Sequence, residues 1–162
     1  FARNLGIAAA RVRAVGLEPT FHHHVCTYVE TPAEIDALLG RSDVDLTLDT
    51  GHLVLGGGDP VAGLERWGSR INHVHVKDVR RAVLDQIVHD GAGSRAVWER
   101  RAFVPLGQGD VDLDGFMSAL ITSGYGGWLV VEQDVIPTPD DPPGSAAADQ
   151  RANRAVLRTW LP

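Results

Sequence analysis

Apolar residues recur at Leu5, Ala8, Ala9, Val12 and Val15, close to helical spacing, which predicts a helix over residues 1–15 closed by Gly16. Alternating or continuous apolar runs predict four strands, at residues 17–25, 44–49, 71–78 and 128–132. Helix signals fall between them. Thr31-Pro32-Ala33-Glu34 combines an N-cap threonine, a proline at the first helical position and a glutamate three residues after the cap, so a helix runs from there to about Leu39, with Gly40 as its stop. Asp59-Pro60 opens another that reaches about Trp67. Residues 112–123 and 146–161 read as two more. The stretch 51–58 reads as a glycine-rich loop, and within it Gly56-Gly57-Gly58 lacks the Lys-Ser/Thr of a phosphate loop and is expected to be flexible over a site. Residues 79–110, with Gly91, Gly93, Gly107 and Gly109, read as a long irregular segment of the kind that is usually functional. Residues 137–144 read as a linker rich in proline and aspartate.

Strands alternating with helices imply parallel βαβ units and an α/β fold. Four strands suit a small open sheet or half of an eight-stranded TIM barrel, which needs about 250 residues when complete. No glycine-rich dinucleotide fingerprint follows the first strand, which argues against a Rossmann domain.

Composition narrows the class. With 162 residues, 44% of them hydrophobic and 22% charged, the chain has the profile of one ordinary globular domain spanning 1–162. A net charge of -6 with scattered basic residues argues against a nucleic-acid partner, and no apolar run is long enough for a membrane span. The single Cys26 excludes an internal disulfide, fits a reducing cytoplasm and is expected to be a small buried residue. No signal peptide is visible. The chain opens at Phe1 already in helical pattern, the expectation for a fragment.

Each strand carries polar groups at its C-terminal end, the edge where parallel α/β folds place their sites. The first has His22, His23 and His24, the second Asp49, the third His75, Lys77 and Asp78, and the fourth Glu132. Singly, an aspartate there is commonly a cap and a histidine a satisfied core residue. One such group on each of four strands is a constellation, and a carboxylate following Trp-Leu-Val-Val needs a partner. Strand alternation sets His22 and His24 on one face and the structural His23 on the other. Mixed imidazole and carboxylate donors suit Mn²⁺, Co²⁺, Fe²⁺, Zn²⁺ or Mg²⁺.

The runs His22-His23-His24, Leu48-Asp49-Thr50-Gly51-His52-Leu53, Gly58-Asp59-Pro60, residues 70–80 from Arg70 to Arg80, and Gly127-Trp128-Leu129-Val130-Val131-Glu132-Gln133-Asp134 resemble the sugar phosphate isomerase/epimerase superfamily, the xylose-isomerase-like TIM barrels, and within it the inosose dehydratase branch. The stretch 104–112 is similar to the Gly-x-Gly segment before the seventh helix of those barrels. The resemblance implies the C-terminal half of a TIM barrel, strands five to eight, with the N-terminal half missing. It implies Asp49, His75 and Glu132 as metal ligands, with His22 or His24 where many relatives carry a glutamate. Mn²⁺ or Co²⁺ is the implied cofactor, with Mg²⁺, Fe²⁺ and Zn²⁺ as alternatives. It further implies a lyase of myo-inositol catabolism that eliminates water from 2-keto-myo-inositol through an enediolate, with Glu132, His52 and Lys77 as candidate proton carriers. The implied partner is a small polyol or keto-sugar. Two alternatives stay open: a keto-sugar isomerase or epimerase, and a catalytically incomplete half-barrel that self-associates through exposed sheet edges. An apurinic-site nuclease shares the barrel and metal logic, but the acidic charge counts against it.

Overall fold

The structure, a computed structural model, describes residues 1–161. Four strands, β1 (Thr20–His22), β2 (Asp45–Asp49), β3 (Ile71–Val76) and β6 (Trp128–Val131), form one parallel sheet in the order β1-β2-β3-β6. A two-residue antiparallel pair, β4 (Asp78–Val79) with β5 (Phe103–Val104), stands beside it. The helices are α1 (Ala2–Arg13), α2 (Pro32–Leu39), α3 (Thr50–Leu55), α4 (Pro60–Trp67), α5 (Arg81–His89), α6 (Ala96–Glu99), α7 (Leu113–Thr122) and α8 (Ser145–Leu157). None of them is long and apolar enough to cross a membrane.

Alternation along the strands divides the sheet. Leu46, Leu48, Val74 and Val76 are fully buried and share a core with Ile35, Leu38, Leu64, Phe116 and Met117 from the helices. Thr47, Asp49, His73 and His75 fall on the other face by the period of two. Parallel register then sets Asp49 level with His75 and His75 level with Val130, which brings the polar strand ends together.

The helix ends obey local chemistry. Thr31 and Glu34 form a full capping box with Pro32 at the start of α2, and Asp59 and Asp112 cap α4 and α7. Gly16, at a φ of 80°, closes α1 with two back-bonds, its own N–H to Arg13 and that of Leu17 to Val12.

Three sequence expectations are corrected. The stretch 51–58 is a loop only from Gly56 onward. Residues 50–55 form α3, and all six are buried. A helix buried on every side has no polar face, so Thr-Gly-His-Leu-Val-Leu shows no helical period. Its glycines serve close packing: a Cβ at Gly51 would sit 2.8 Å from Lys77 Cγ. The stretch 79–110 is likewise ordered, containing β4, α5, α6 and β5. Asp78 holds it down by accepting from the backbone N–H groups of Gly107, Gly109 and Val111 at 2.8–3.2 Å. Gly109→Ala would push a methyl group into Asp78 and the Val79 carbonyl. A loss of about 2 kcal/mol in urea unfolding is expected, and an unchanged midpoint would show that the contact yields freely. Finally, Cys26 is exposed rather than buried, at a φ of 62° in the turn after β1.

The first strand is also shorter than residues 17–25, ending at His22. His24 leaves the ladder to donate its N–H to Val29 in a turn, so strand alternation no longer aligns it with His22.

Candidate metal centre

Asp49 ends β2 and starts α3, and its two oxygens divide the work. Oδ1 accepts from the His52 N–H at 2.8 Å and caps the helix. Oδ2 faces His22 Nε2 at 3.2 Å, Lys77 Nζ at 3.3 Å and His75 Nδ1 at 3.5 Å. The cap reading and the ligand reading of this aspartate therefore coexist. Glu132, just past β6, is held by its N–H to the Val76 carbonyl and brings Oε2 within 3.0 Å of His75 Nδ1. One donor atom from each of His22, Asp49, His75 and Glu132 lies within 4.8 Å of the others.

This set fits a single cation. His75 Nδ1 and Glu132 Oε2 are buried and close, yet neither makes a directed hydrogen bond. Buried polar atoms that converge without satisfying one another suit a shared ion. The donors, two imidazoles and two carboxylates, are those of a borderline divalent metal.

His24 stands apart. It joins His52 and Asp134 in a second cluster whose donor atoms also lie within 4.8 Å of one another. Its ring packs on His52 at 3.6 Å between centroids and on Trp98 of α6 at 6.0 Å. Lys77 lies between the clusters. Its ammonium is buried and contacts Glu132 Oε2 at 2.9 Å, Asp134 Oδ2 at 3.1 Å and His52 Nε2 at 2.8 Å. An ammonium only donates, so His52 Nε2 accepts. Thr50 Oγ1 donates to the Lys77 carbonyl and accepts from its N–H, fixing the lysine backbone.

Asp134 is the residue that sequence reading passed over. β6 ends at Val131, so strand alternation does not reach Asp134, and no spacing in the sequence marks it.

The charges follow from these contacts. Burial raises the Asp49 carboxyl, but His22, His75, His52 and Lys77 outweigh it and hold the group well below its ordinary value. Contact with His75 is the largest influence on Glu132; with Lys77 it overcomes burial and brings the carboxyl down to about 2. Burial lowers His75, yet Asp49 and Glu132 carry it to about 9. Burial lowers Lys77 too, but Asp49, Asp134 and Glu132 raise it, so it stays charged. His52 falls to about 2, chiefly by burial, and is neutral.

His23 is fully buried behind this face, and its Nε2 accepts from the Asp49 N–H at 3.2 Å. Burial lowers its pKa from 6.5 to about 4. Between those values the unfolded chain binds a proton that the folded chain refuses. The His23 contribution is therefore complete above pH 6.5 and fades as the pH falls to 4, by about 3 kcal/mol. Urea unfolding of chelated protein at pH 7 and pH 4.5 should show this loss added to that of His52, which has the same sign, and His23→Gln should shrink the total. An equal loss in the variant would assign the acid sensitivity elsewhere.

The family model of the xylose isomerase-like TIM barrel matches residues 1–159. An inosose dehydratase of Lacticaseibacillus casei is 40% identical over 135 residues, covering 82% of this chain and 45% of the relative. An inosose dehydratase of Bacillus cereus (strain AH820) is 38% identical over 130 residues, covering 78% and 44%. The chain thus spans about half the length of these relatives. Among solved structures, an L-ribulose 3-epimerase superposes with a TM-score of 0.70 at 21% identity, over 99% of this chain and 52% of that one. The probable 3-DHS dehydratase AsbF of Bacillus anthracis superposes at 0.69 and 20%, over 97% and 55%. These two likenesses concern the fold. With a parallel sheet whose strand ends gather histidines and carboxylates, and a family model matched from residue 1 to residue 159, the chain belongs to the xylose isomerase-like TIM barrel family.

Proposed function

We propose that this chain is the metal-holding half, strands five to eight, of a divalent-metal-dependent dehydratase that eliminates water from 2-keto-myo-inositol. The observation that carries the reading is the convergence of His22, Asp49, His75 and Glu132 at the C-terminal ends of four parallel strands. The inosose dehydratase relatives supply the substrate class.

His22, Asp49, His75 and Glu132 would hold the metal, with His22 rather than His24 as the fourth donor. A divalent cation there, Mn²⁺ or Co²⁺ by the resemblance, supplies Lewis acidity toward the ketone oxygen. The chain's own groups handle the protons. Glu132 is ionised and 38% exposed, so it is the carrier that meets the substrate and takes the proton α to the ketone, leaving an enediolate. Glu132 then passes that same proton to the departing hydroxyl, which leaves as water, and returns to its carboxylate. Lys77, charged, 2.9 Å from Glu132 and only 1% exposed, keeps its proton and stabilises the carboxylate at both ends of the cycle. His52 is neutral and buried and steadies Lys77 from behind.

The test uses the protein that contains this chain, with 2-keto-myo-inositol and Mn²⁺ or Co²⁺, following dione formation. Turnover that chelation abolishes is expected. Epimerisation of a keto-sugar without dehydration would move the assignment to the isomerase and epimerase branch.

A second reading has its own observation. β1 and β6 are both sheet edges, and Trp128 on β6 is 75% exposed. Open parallel edges invite pairing. Taken alone, the 162-residue chain is expected to elute at twice its mass on size-exclusion chromatography. A monomer that retains metal would argue against self-association.

A further inference from the structure

We infer that the Lys77 ammonium is a resident cation filling the second of two adjacent ligand sets, and that it thereby restricts the centre to one metal ion. This rests on the reading of His22, Asp49, His75 and Glu132 as the metal site.

The geometry is that of two sets sharing a boundary. His22, Asp49, His75 and Glu132 form the first, and His24, His52 and Asp134 the second. Lys77 Nζ lies 2.8 Å from His52 Nε2 and 3.1 Å from Asp134 Oδ2 in the second set. It also lies 2.9 Å from Glu132 Oε2 and 3.3 Å from Asp49 Oδ2 in the first. A positive centre at hydrogen-bond distance from donors of both sets takes the place a second metal ion would take between them.

The lysine is built into this position. Its backbone is held from both sides by the Thr50 hydroxyl, and its stem packs against Gly51, where a Cβ would lie only 2.8 Å from Lys77 Cγ. Its ammonium sits 5.0 Å from the centre of the Phe103 ring, on which a cation is favourably placed. No swing into solvent is open to a side chain 1% exposed.

Charge balance points the same way. Asp49, Glu132 and Asp134 carry three negative charges around Lys77. One ammonium and one divalent ion neutralise them. A second divalent ion beside the ammonium would leave two uncompensated positive charges next to Asp49 and Lys77, both shut off from water, a setting in which excess charge is costly. Without the ammonium, two divalent ions leave a single excess charge, within reach of one hydroxide.

The side-chain volume gives a clean test. Lys77→Ala removes the charge and opens the space, whereas Lys77→Met removes the charge and keeps the space filled. Mn²⁺ stoichiometry would be measured by calorimetry and elemental analysis, with electron paramagnetic resonance to detect a spin-coupled pair. One equivalent is expected for the wild-type chain, two with a coupled signal for Lys77→Ala, and one for Lys77→Met. Independently, His24→Ala in the wild-type background should keep one equivalent at unchanged affinity, because the second set holds no metal there. The inference is overturned by a folded Lys77→Ala with one equivalent, by a wild-type chain with two, or by loss of the ion in His24→Ala. Should Lys77→Ala need Mn²⁺ to fold, it is refolded in Mn²⁺ and counted, and the His24→Ala arm decides on its own if it stays unfolded. A wild-type chain that binds no Mn²⁺ would instead remove the metal reading beneath the inference.

Discussion

Asp49→Asn is expected to weaken Mn²⁺ binding by more than about a hundredfold while leaving α3 in place. Loss of a residue that merely supports a ligand costs ~10–100-fold in metal affinity, and a ligand itself should exceed that. The asparagine keeps a side-chain carbonyl for the His52 N–H, the bond that caps α3 at 2.8 Å. It loses the anionic oxygen that His22, His75 and Lys77 surround. The substitution therefore separates the two tasks of one carboxylate. Calorimetric titration with Mn²⁺ measures the first task and far-ultraviolet circular dichroism the second. Near-wild-type affinity would remove Asp49 from the ligand set, and lost helical signal would show that charge, not shape, holds the cap.

The candidate site was legible where chemistry and periodicity coincide. Thr31-Pro32-Ala33-Glu34 and Asp59-Pro60 marked helix starts that the structure reproduces, because capping is a local bargain between a side chain and the next turn of backbone. Asp49, His75 and Glu132 stood out because polar groups interrupt otherwise apolar strands. The separation of His22 from His24 was not legible: it depends on β1 ending at His22, which is decided by the turn that ties His24 to Val29. Helix α3 escaped for the opposite reason. Its contacts come from all sides, so burial erased the polar stripe by which a helix is normally recognised. The stretch 79–110 carried a readable signal in Val83, Leu84, Ile87 and Val88 at helical spacing, masked by the glycines around it. Gly91, at a φ of 62°, serves the turn after α5, while Gly107 and Gly109 give their backbone N–H groups to the carboxylate of Asp78, some thirty positions away in sequence.

Lys77→Met is expected to destabilise the chelated protein by about 3–5 kcal/mol, the usual cost of stranding a buried charge by removing its partner. The methionine conserves most of the stem that packs on Gly51 and Phe103, so the loss reports the ammonium rather than a cavity. What remains is the fully buried Asp49 with Glu132 and Asp134 nearby, and only the His75 imidazolium beside Asp49 and Glu132 to offset them until a metal ion takes its place. At this chain length the change corresponds to a fall of roughly 10 °C in melting temperature. Mn²⁺ should then recover part of it, since an ion that binds only the folded state stabilises by mass action and the first ligand set is intact. The gain in melting temperature on adding Mn²⁺ is accordingly expected to be larger for Lys77→Met than for the wild-type chain, because the metal becomes the sole cation facing three carboxylates. A loss below about 1 kcal/mol in the chelated variant would mean that the carboxylates take up protons instead, and that the positive charge of Lys77 does not hold this face of the sheet together.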